Sequence, residues 1–307
     1  MILKNADDHS SQLGQLEQRL TDRTLNAAQR QWLTDELFRL RMGIQGERDA
    51  AFYLNSHFKD SENHVVIHDL RVEVDGDVAQ IDHLVFYRAG GIYLFETKNY
   101  GGSLLINDHG EFTADYGRVR YGIPSPIEQS RRHERVLHKL LDRLDIGGRT
   151  QRQLEMHHLV LVHPKAIIKR PAEKVFSTHN VMKADQFPAW HKKRTDHIGT
   201  LEIFSLLANM RSVDTLREWG EKLVRQHRPA PLRPLPEHLF PAAPPAPSSM
   251  QPAVPASAPT DSAQLARKLV CAECGARITF AEGKFCWGNE RRFGGLQYCR
   301  EHQARFR

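Results

Sequence analysis

Cysteine is missing from the first 270 residues; all four cysteines of the 307-residue chain lie in its last 37. A disulfide framework for the bulk of the chain is thereby excluded, and the clustering points to a local metal site at the end. Long apolar runs are missing too. No stretch of about 18 apolar residues occurs, so no membrane-spanning helix is expected and no membrane partner is implied. The first residues, MILKNADDHSSQLGQ, have no apolar signal core, and the expected location is cytoplasmic. Hydrophobic residues make up 40% and mean hydropathy is −0.53, which fits a somewhat polar, water-facing protein. The length allows one sizeable domain plus an appendage.

Charge is uneven. The net charge is +6, and from residue 265 onward nine Lys and Arg face four acids. The tail thus carries +5 of the total, leaving +1 for everything before it. A polyanion partner is the natural expectation from such a tail; solubility alone is the simpler one.

The stretch with the strongest chemical content is 80–100, QIDHLVFYRAGGIYLFETKNY. It reads as two apolar strands around a Gly-containing turn. Asp82 starts the first strand; Glu96 and Lys98 end the second. Side chains alternate along a strand, so Glu96 and Lys98 share a face. A three-residue loop Ala89-Gly90-Gly91 sets Asp82 opposite Lys98, with Glu96 diagonal to both. Charges on a half-buried strand are costly unless paired or bound to metal. An Asp followed by Glu-x-Lys on the next strand is the arrangement of divalent-metal nucleases. Its carboxylates are hard ligands for Mg2+ or Mn2+, and its lysine orients water or neutralises charge on phosphate. An ordinary surface salt bridge is the competing explanation.

Residues 10–22 and 25–42 have helical spacing of leucines and read as an N-terminal helical arm, 1–42. Gly43 and Gly46 are expected to interrupt that pattern. A new helix over 47–58 then places Glu47 in its first turn, where the helix dipole favours a carboxylate. Alternatively, Glu47 is a further carboxylate beside the hairpin. A strand is expected over 64–74, short strands over 103–112 and 118–121, and a strong helix over 127–144 with Pro126 at its first position. Gln129 and His133 sit four apart on that helix; His133 reads as a packed core histidine or a phosphate contact. A buried strand over 154–163 follows, then a short element over 181–187 and helices over 198–210 and 213–226. The helical arm and the domain 43–228 precede a Pro/Ala-rich linker, 229–263. A polyproline ligand for another protein is the alternative for that linker.

The last 44 residues, 264–307, carry two ligand knuckles, Cys271-x2-Cys274 and Cys299-x2-His302. Zinc in structural sites takes four ligands. The expected set is Cys271, Cys274, Cys299 and His302, with Cys286 as the alternative to His302 or else a small buried hydrophobe. A module this short needs zinc to fold. Aromatic residues interleave with arginines here, which suits nucleic acid; protein docking is the competing role.

Several segments, taken together, resemble the nuclease-related domain (NERD) family. They are Gly43-x-x-Gly46-Glu47, Gln80-Ile81-Asp82-His83, Gly91-Ile92, Phe95-Glu96-Thr97-Lys98-Asn99-Tyr100-x-Gly102 and Pro126-x-x-Gln129. The resemblance covers about 43–145. It implies a place in the PD-(D/E)xK nuclease-like superfamily. It also implies an α/β fold with a mixed sheet flanked by helices, the αβββαβ restriction-endonuclease-like core. The expected activity is that of a Mg2+-dependent deoxyribonuclease. Carried over by position, Asp82 and Glu96 are the Mg2+ or Mn2+ ligands and Lys98 is the catalytic lysine. Glu47 is the helix carboxylate, and Gln129 shapes the site. Ile81 stands where the superfamily motif has proline. DNA is the expected partner, with other nucleic acids not distinguished and a protein partner through the linker or zinc module open. A non-catalytic DNA-binding or protein-docking protein on the same fold is the alternative.

Overall fold

The computed structural model describes residues 1–148, 153–231, 235–237 and 269–306. Most of the expected linker 229–263 lies outside the described residues. The chain divides into two compact units, Met1–Ala242 and Ala243–Arg307.

The first unit is built on a six-stranded mixed sheet. Its strands, in spatial order, are β1 (Ile2–Lys4), β2 (His64–Val74), β3 (Asp77–Tyr87), β4 (Gly91–Lys98), β8 (Glu155–Val162) and β10 (Val181–Lys183). β2, β3 and β4 are antiparallel neighbours, whereas β1, β8 and β10 add in parallel to β2, β4 and β8. A second sheet holds β7 (Arg120–Ile123), β6 (Phe112–Asp115), β5 (Ser103–Ile106) and β9 (Ile167–Lys169).

Helices cover both faces of the main sheet. On one side α3 (Pro126–Arg143) and α6 (Val213–Gln226) bury Leu137, Leu140, Leu216 and Trp219 against Ile67, Leu84 and Ile92. On the other, α2 (Ala27–Phe58) and α4 (Phe187–Asp196) bury Ala50, Leu54, Phe58 and Phe187 against Val66, Val85 and Phe95. The order α2-β2-β3-β4-α3-β8 is the expected αβββαβ core, with β5–β7 inserted after β4. α1 (Ser10–Leu20) precedes α2, and α5 (Thr200–Asn209) lies between α4 and α6.

Two expectations are corrected. Gly43 and Gly46 do not end a helix: α2 runs unbroken for 32 residues. Its start is fixed by a capping box, Asn26 accepting from Gln29 N while Gln29 accepts from Asn26 N. Each glycine costs the helix only about 1 kcal/mol, and packing outweighs that. A Cβ on Gly46 would lie 2.5 Å from Asn99 Cβ, so the helix approaches the end of β4 only because residue 46 has no side chain. Asn99 Nδ2 donates to Met42 O at 2.8 Å and closes the contact. Glu47 is therefore mid-helix, and the dipole explanation of its position fails.

The hairpin register also differs. Tyr87 pairs with Gly91 and His83 with Phe95, so the loop is Arg88-Ala89-Gly90. This ladder projects Asp82 toward Glu96 rather than Lys98. β1 was not anticipated; its three residues gain order from the sheet edge, where Val66 N donates to Met1 O.

In the second unit, the described helices are α7 (Phe280–Gly288), α8 (Glu290–Phe293) and α9 (Arg300–Gln303). α7 starts at a Thr279–Glu282 capping box. A small core of Ile278, Cys286, Phe293 and Tyr298 packs beside the buried Cys271.

Candidate active site and metal centre

The site forms where the main sheet loses its alternation. Ile81 and Leu84 are three residues apart on β3, yet both enter the same core cluster, and so do Ile67 and Leu70 on β2. Strict period-two geometry would put the members of each pair on opposite faces. The break falls at Asp69 and Asp82. They are skipped in an otherwise regular ladder, and Asp69 adopts φ +48°. An aspartate tolerates this left-handed conformation better than most residues. Asp69 is buried, accepting from Asp7 N at 3.2 Å and from Gln80 Nε2 at 3.2 Å.

A buried histidine chain supports this break. His68 Nε2 lies 2.8 Å from Asn55 Oδ1, and the His68 and His83 Nδ1 atoms are 2.8 Å apart. His83 Nε2 lies 3.2 Å from Thr97 Oγ1. Burial holds His68 down to about 4 and His83 well below its usual value, so both rings are neutral at pH 7. With Asn55 Oδ1 able only to accept, one proton arrangement satisfies every pair. His68 Nε2 donates to Asn55, His83 Nδ1 donates to His68 Nδ1, and the Thr97 hydroxyl donates to His83 Nε2. Thr97 N in turn donates to Asp82 Oδ2 at 2.6 Å. The chain thus orients Asp82 from behind.

Four elements converge on a cavity of about 710 Å³. α2 contributes Glu47, β3 contributes Asp82, β4 contributes Glu96 and Lys98, and α3 contributes Gln129 and His133. All five residues expected to form the site line this one cavity. Lys98 Nζ donates to Glu96 Oε1 at 2.6 Å and to Gln129 Oε1 at 3.2 Å. His133 Nδ1 stands 3.9 Å from Glu96 Oε2, and burial, then Arg132 and Lys98, hold His133 down to about 4.

The carboxylates of the site repel one another. Glu96 is 2% exposed. Burial pushes its carboxyl up, partly offset by Lys98. Asp82 keeps some exposure to the cavity, yet burial, then Glu96 and Glu47, hold it well above the usual carboxylate range. Glu47 is pushed up to about 7 by burial, then by Asp69 and Glu96. Three carboxylates and one ammonium thus share the cavity. Such a set is stabilised by protons or by a hard cation. Oxygen donors of this kind suit a hard divalent cation rather than a soft one.

Sequence reasoning missed His83, Thr97 and Asn99 as structural supports of the site. A histidine next to Asp82 in the middle of a strand was the one available signal.

In the second unit Cys271, Cys274, Cys299 and His302 gather, with their ligand atoms all within 4.8 Å of one another. Cys274 Sγ is 3.9 Å from Cys299 Sγ, and His302 Nδ1 is 3.0 Å from Cys299 Sγ and 3.6 Å from Cys271 Sγ. Ligands on a tetrahedral zinc, at about 2.0–2.3 Å from the metal, stand roughly 3.5–3.8 Å apart, so this Cys3His group is compatible with zinc. Burial opposes ionisation of Cys271, but N–H groups of Cys299, Cys274 and Glu273 outweigh it and bring the thiol down to about 6. Cys286 stands outside the group. Its Sγ is buried and accepts from Tyr298 N at 3.4 Å.

No helix among the described residues is long and apolar enough to cross a membrane. No curated protein and no solved structure matches the chain. The family model of the nuclease-related domain matches residues 42–163, which hold Glu47, the broken strand at Asp82, the Glu96-x-Lys98 end of β4 and Gln129. Over residues 42–163 this chain carries a nuclease-related domain.

Proposed function

We propose that the cavity is the active centre of a metal-dependent nuclease that hydrolyses DNA phosphodiester bonds. One observation carries this reading. Glu47, Asp82 and Glu96 line one substrate-sized cavity together with Lys98, whose ammonium is clamped between Glu96 and Gln129. Asp82 and Glu96 would hold Mg2+ or Mn2+, with Glu47 of α2 as a further carboxylate on the same cavity. When bound, that ion polarises the phosphodiester and lowers the pKa of water.

The chain's own residues do the rest. Gln129 and Glu96 take two of the lysine's donors and leave the third for the attacking water or the developing phosphorane oxygen. Thr97 N fixes Asp82 by its Oδ2, leaving Oδ1 for the cation. A P–O bond forms to water and the P–O bond to the departing sugar oxygen breaks. The attacking water gives up a proton to solvent and the departing sugar oxygen takes one from solvent, giving a phosphomonoester and a free hydroxyl. The second unit, organised by zinc on Cys271, Cys274, Cys299 and His302, would raise the local DNA concentration through a tether. DNA processing or repair is the expected setting.

The test is cleavage of linear, circular and single-stranded DNA with and without Mg2+, by the intact protein and by Lys98→Ala and Asp82→Ala. Each substitution should lower the rate by about 100-fold or more. Unchanged cleavage would mean that the centre lies elsewhere. Metal-independent DNA retention without cleavage by the intact protein would instead make this a binding domain on a nuclease fold.

A further inference from the structure

The cavity has a feature that phosphodiester hydrolysis does not require. Its rim is aromatic. Tyr116, just after β6, and Tyr121, on β7, are 43% and 50% exposed, and both line the cavity that holds Glu96 and Lys98. Their rings lie 5.5 Å apart and only 26° from parallel. A third ring, Phe38 of α2, lines the same cavity and is 64% exposed.

These rings are not fillers of the core. β6 buries Phe112 and Ala114 inward, whereas all of 116–122 is exposed. Gly117 takes φ +82° in the turn, and Tyr116 N donates to Val119 O at 3.0 Å, so the backbone itself closes the hairpin. The hairpin is nonetheless anchored to the site. Gly102 packs so closely on the Asp115 carbonyl that no Cβ would fit, and a Cβ on Gly101 would touch the Tyr116 ring at 3.8 Å. Both glycines lie within four residues of Lys98. Tyr100, between them and Lys98, also lines the cavity. Basic groups stand nearby, with Arg118 exposed in the same turn and Arg132 exposed on α3 one residue before His133.

An exposed, stacked ring pair beside a phosphate-cleaving centre suits a flat aromatic occupant that arrives attached to a phosphate. A base inside a duplex has both faces covered by its neighbours and offers none to a protein ring. An unpaired base offers both. Resting on the nuclease reading of the same cavity, we infer that Tyr116 and Tyr121 form a stacking platform for an unpaired base next to the scissile phosphate, so that the preferred substrate is single-stranded DNA or the single-stranded part of a junction.

The test uses the full-length protein with Ca2+ in place of Mg2+. The probes are a single-stranded oligothymidine carrying one 2-aminopurine, whose emission falls on stacking, and a duplex of the same sequence. The intact protein should quench the probe in the single strand and leave it unchanged in the duplex. Tyr116→Ala/Tyr121→Ala should abolish quenching and weaken single-strand binding by about 10-fold or more, with duplex binding within about twofold. Tyr116→Phe/Tyr121→Phe should keep both. Absence of quenching by the intact protein, or equal loss on single strand and duplex, overturns the proposal. Because the first of these is read on the unaltered protein, a folding defect in the Ala variant does not rescue it. The two readings fail separately. If the intact protein cleaves DNA in Mg2+ but shows no quenching, the platform is wrong and the nuclease stands. If it quenches but never cleaves, the platform stands on a binding site.

Discussion

Replacing Glu47 by glutamine should stabilise the metal-free protein and weaken its response to Mg2+. Glu47 sits in mid-helix, facing Asp69 and Glu96, and burial with their repulsion moves its carboxyl from 4.5 to about 7. The folded state therefore holds this proton more tightly than the unfolded chain does. Stability from this group is fully present below pH 4.5 and is lost as pH rises through about 7. Two and a half pH units at about 1.4 kcal/mol each give about 3 kcal/mol at pH 8. Glutamine keeps the shape and carries no charge to desolvate. Without added Mg2+, the stability gap between Glu47→Gln and the intact protein should therefore widen by about 3 kcal/mol between about pH 4 and about pH 8. For a domain of this size that is a shift in Tm of about 6–12 °C. Added Mg2+ should narrow the gap, because a cation that binds only the folded carboxylates stabilises the intact protein. Thermal unfolding followed by circular dichroism measures both effects. Parallel Tm curves across that pH range, or equal stabilisation of both proteins by Mg2+, would refute the argument that buried carboxylate repulsion prepares this site for a cation.

Two further substitutions address the framework. Gly46→Ala should cost about 1–3 kcal/mol, because its Cβ would meet Asn99 Cβ at 2.5 Å. Gly43→Ala, with nothing within 4 Å of its Cβ, should stabilise α2 by up to about 1 kcal/mol. Chemical denaturation separates the two by sign. In the second unit, Cys271→Ala should lower the zinc content per chain sharply while Cys286→Ala leaves it unchanged, as read by elemental analysis of the purified protein. Loss of zinc in Cys286→Ala alone would refute the four-ligand assignment.

Much of the architecture was legible because it rests on local periodicity. The alternation HVVIHDLRVEV gives a strand over 64–74, and β2 spans His64–Val74. The apolar stripe of Ile127, Val136, Leu137, Leu140 and Leu141 gives the helix that became α3, with Pro126 at its start. The knuckle spacing was equally local, since two residues between ligands suffice to bring both onto one ion. Other features were not readable in this way. Gly43 and Gly46 look like helix breakers, and only the approach of Asn99 shows why a glycine stands within a continuous helix at 46. β1 is three residues long and has no pattern of its own.

The sequence by itself determined the chemical inventory: an Asp and a Glu-x-Lys on neighbouring strands, and a Cys3His set with zinc spacing in the tail. These follow from residue type and spacing alone. Only the tertiary structure decided how the inventory is used. Continuity of α2 carries Glu47, more than 30 residues upstream of Asp82, to the cavity. The paired break at Asp69 and Asp82, held by the His68–His83–Thr97 chain, lets Asp82 depart from the alternation that the strand pattern assumed. Both depend on contacts between residues far apart in the chain, and no local pattern encodes a contact whose partner is elsewhere.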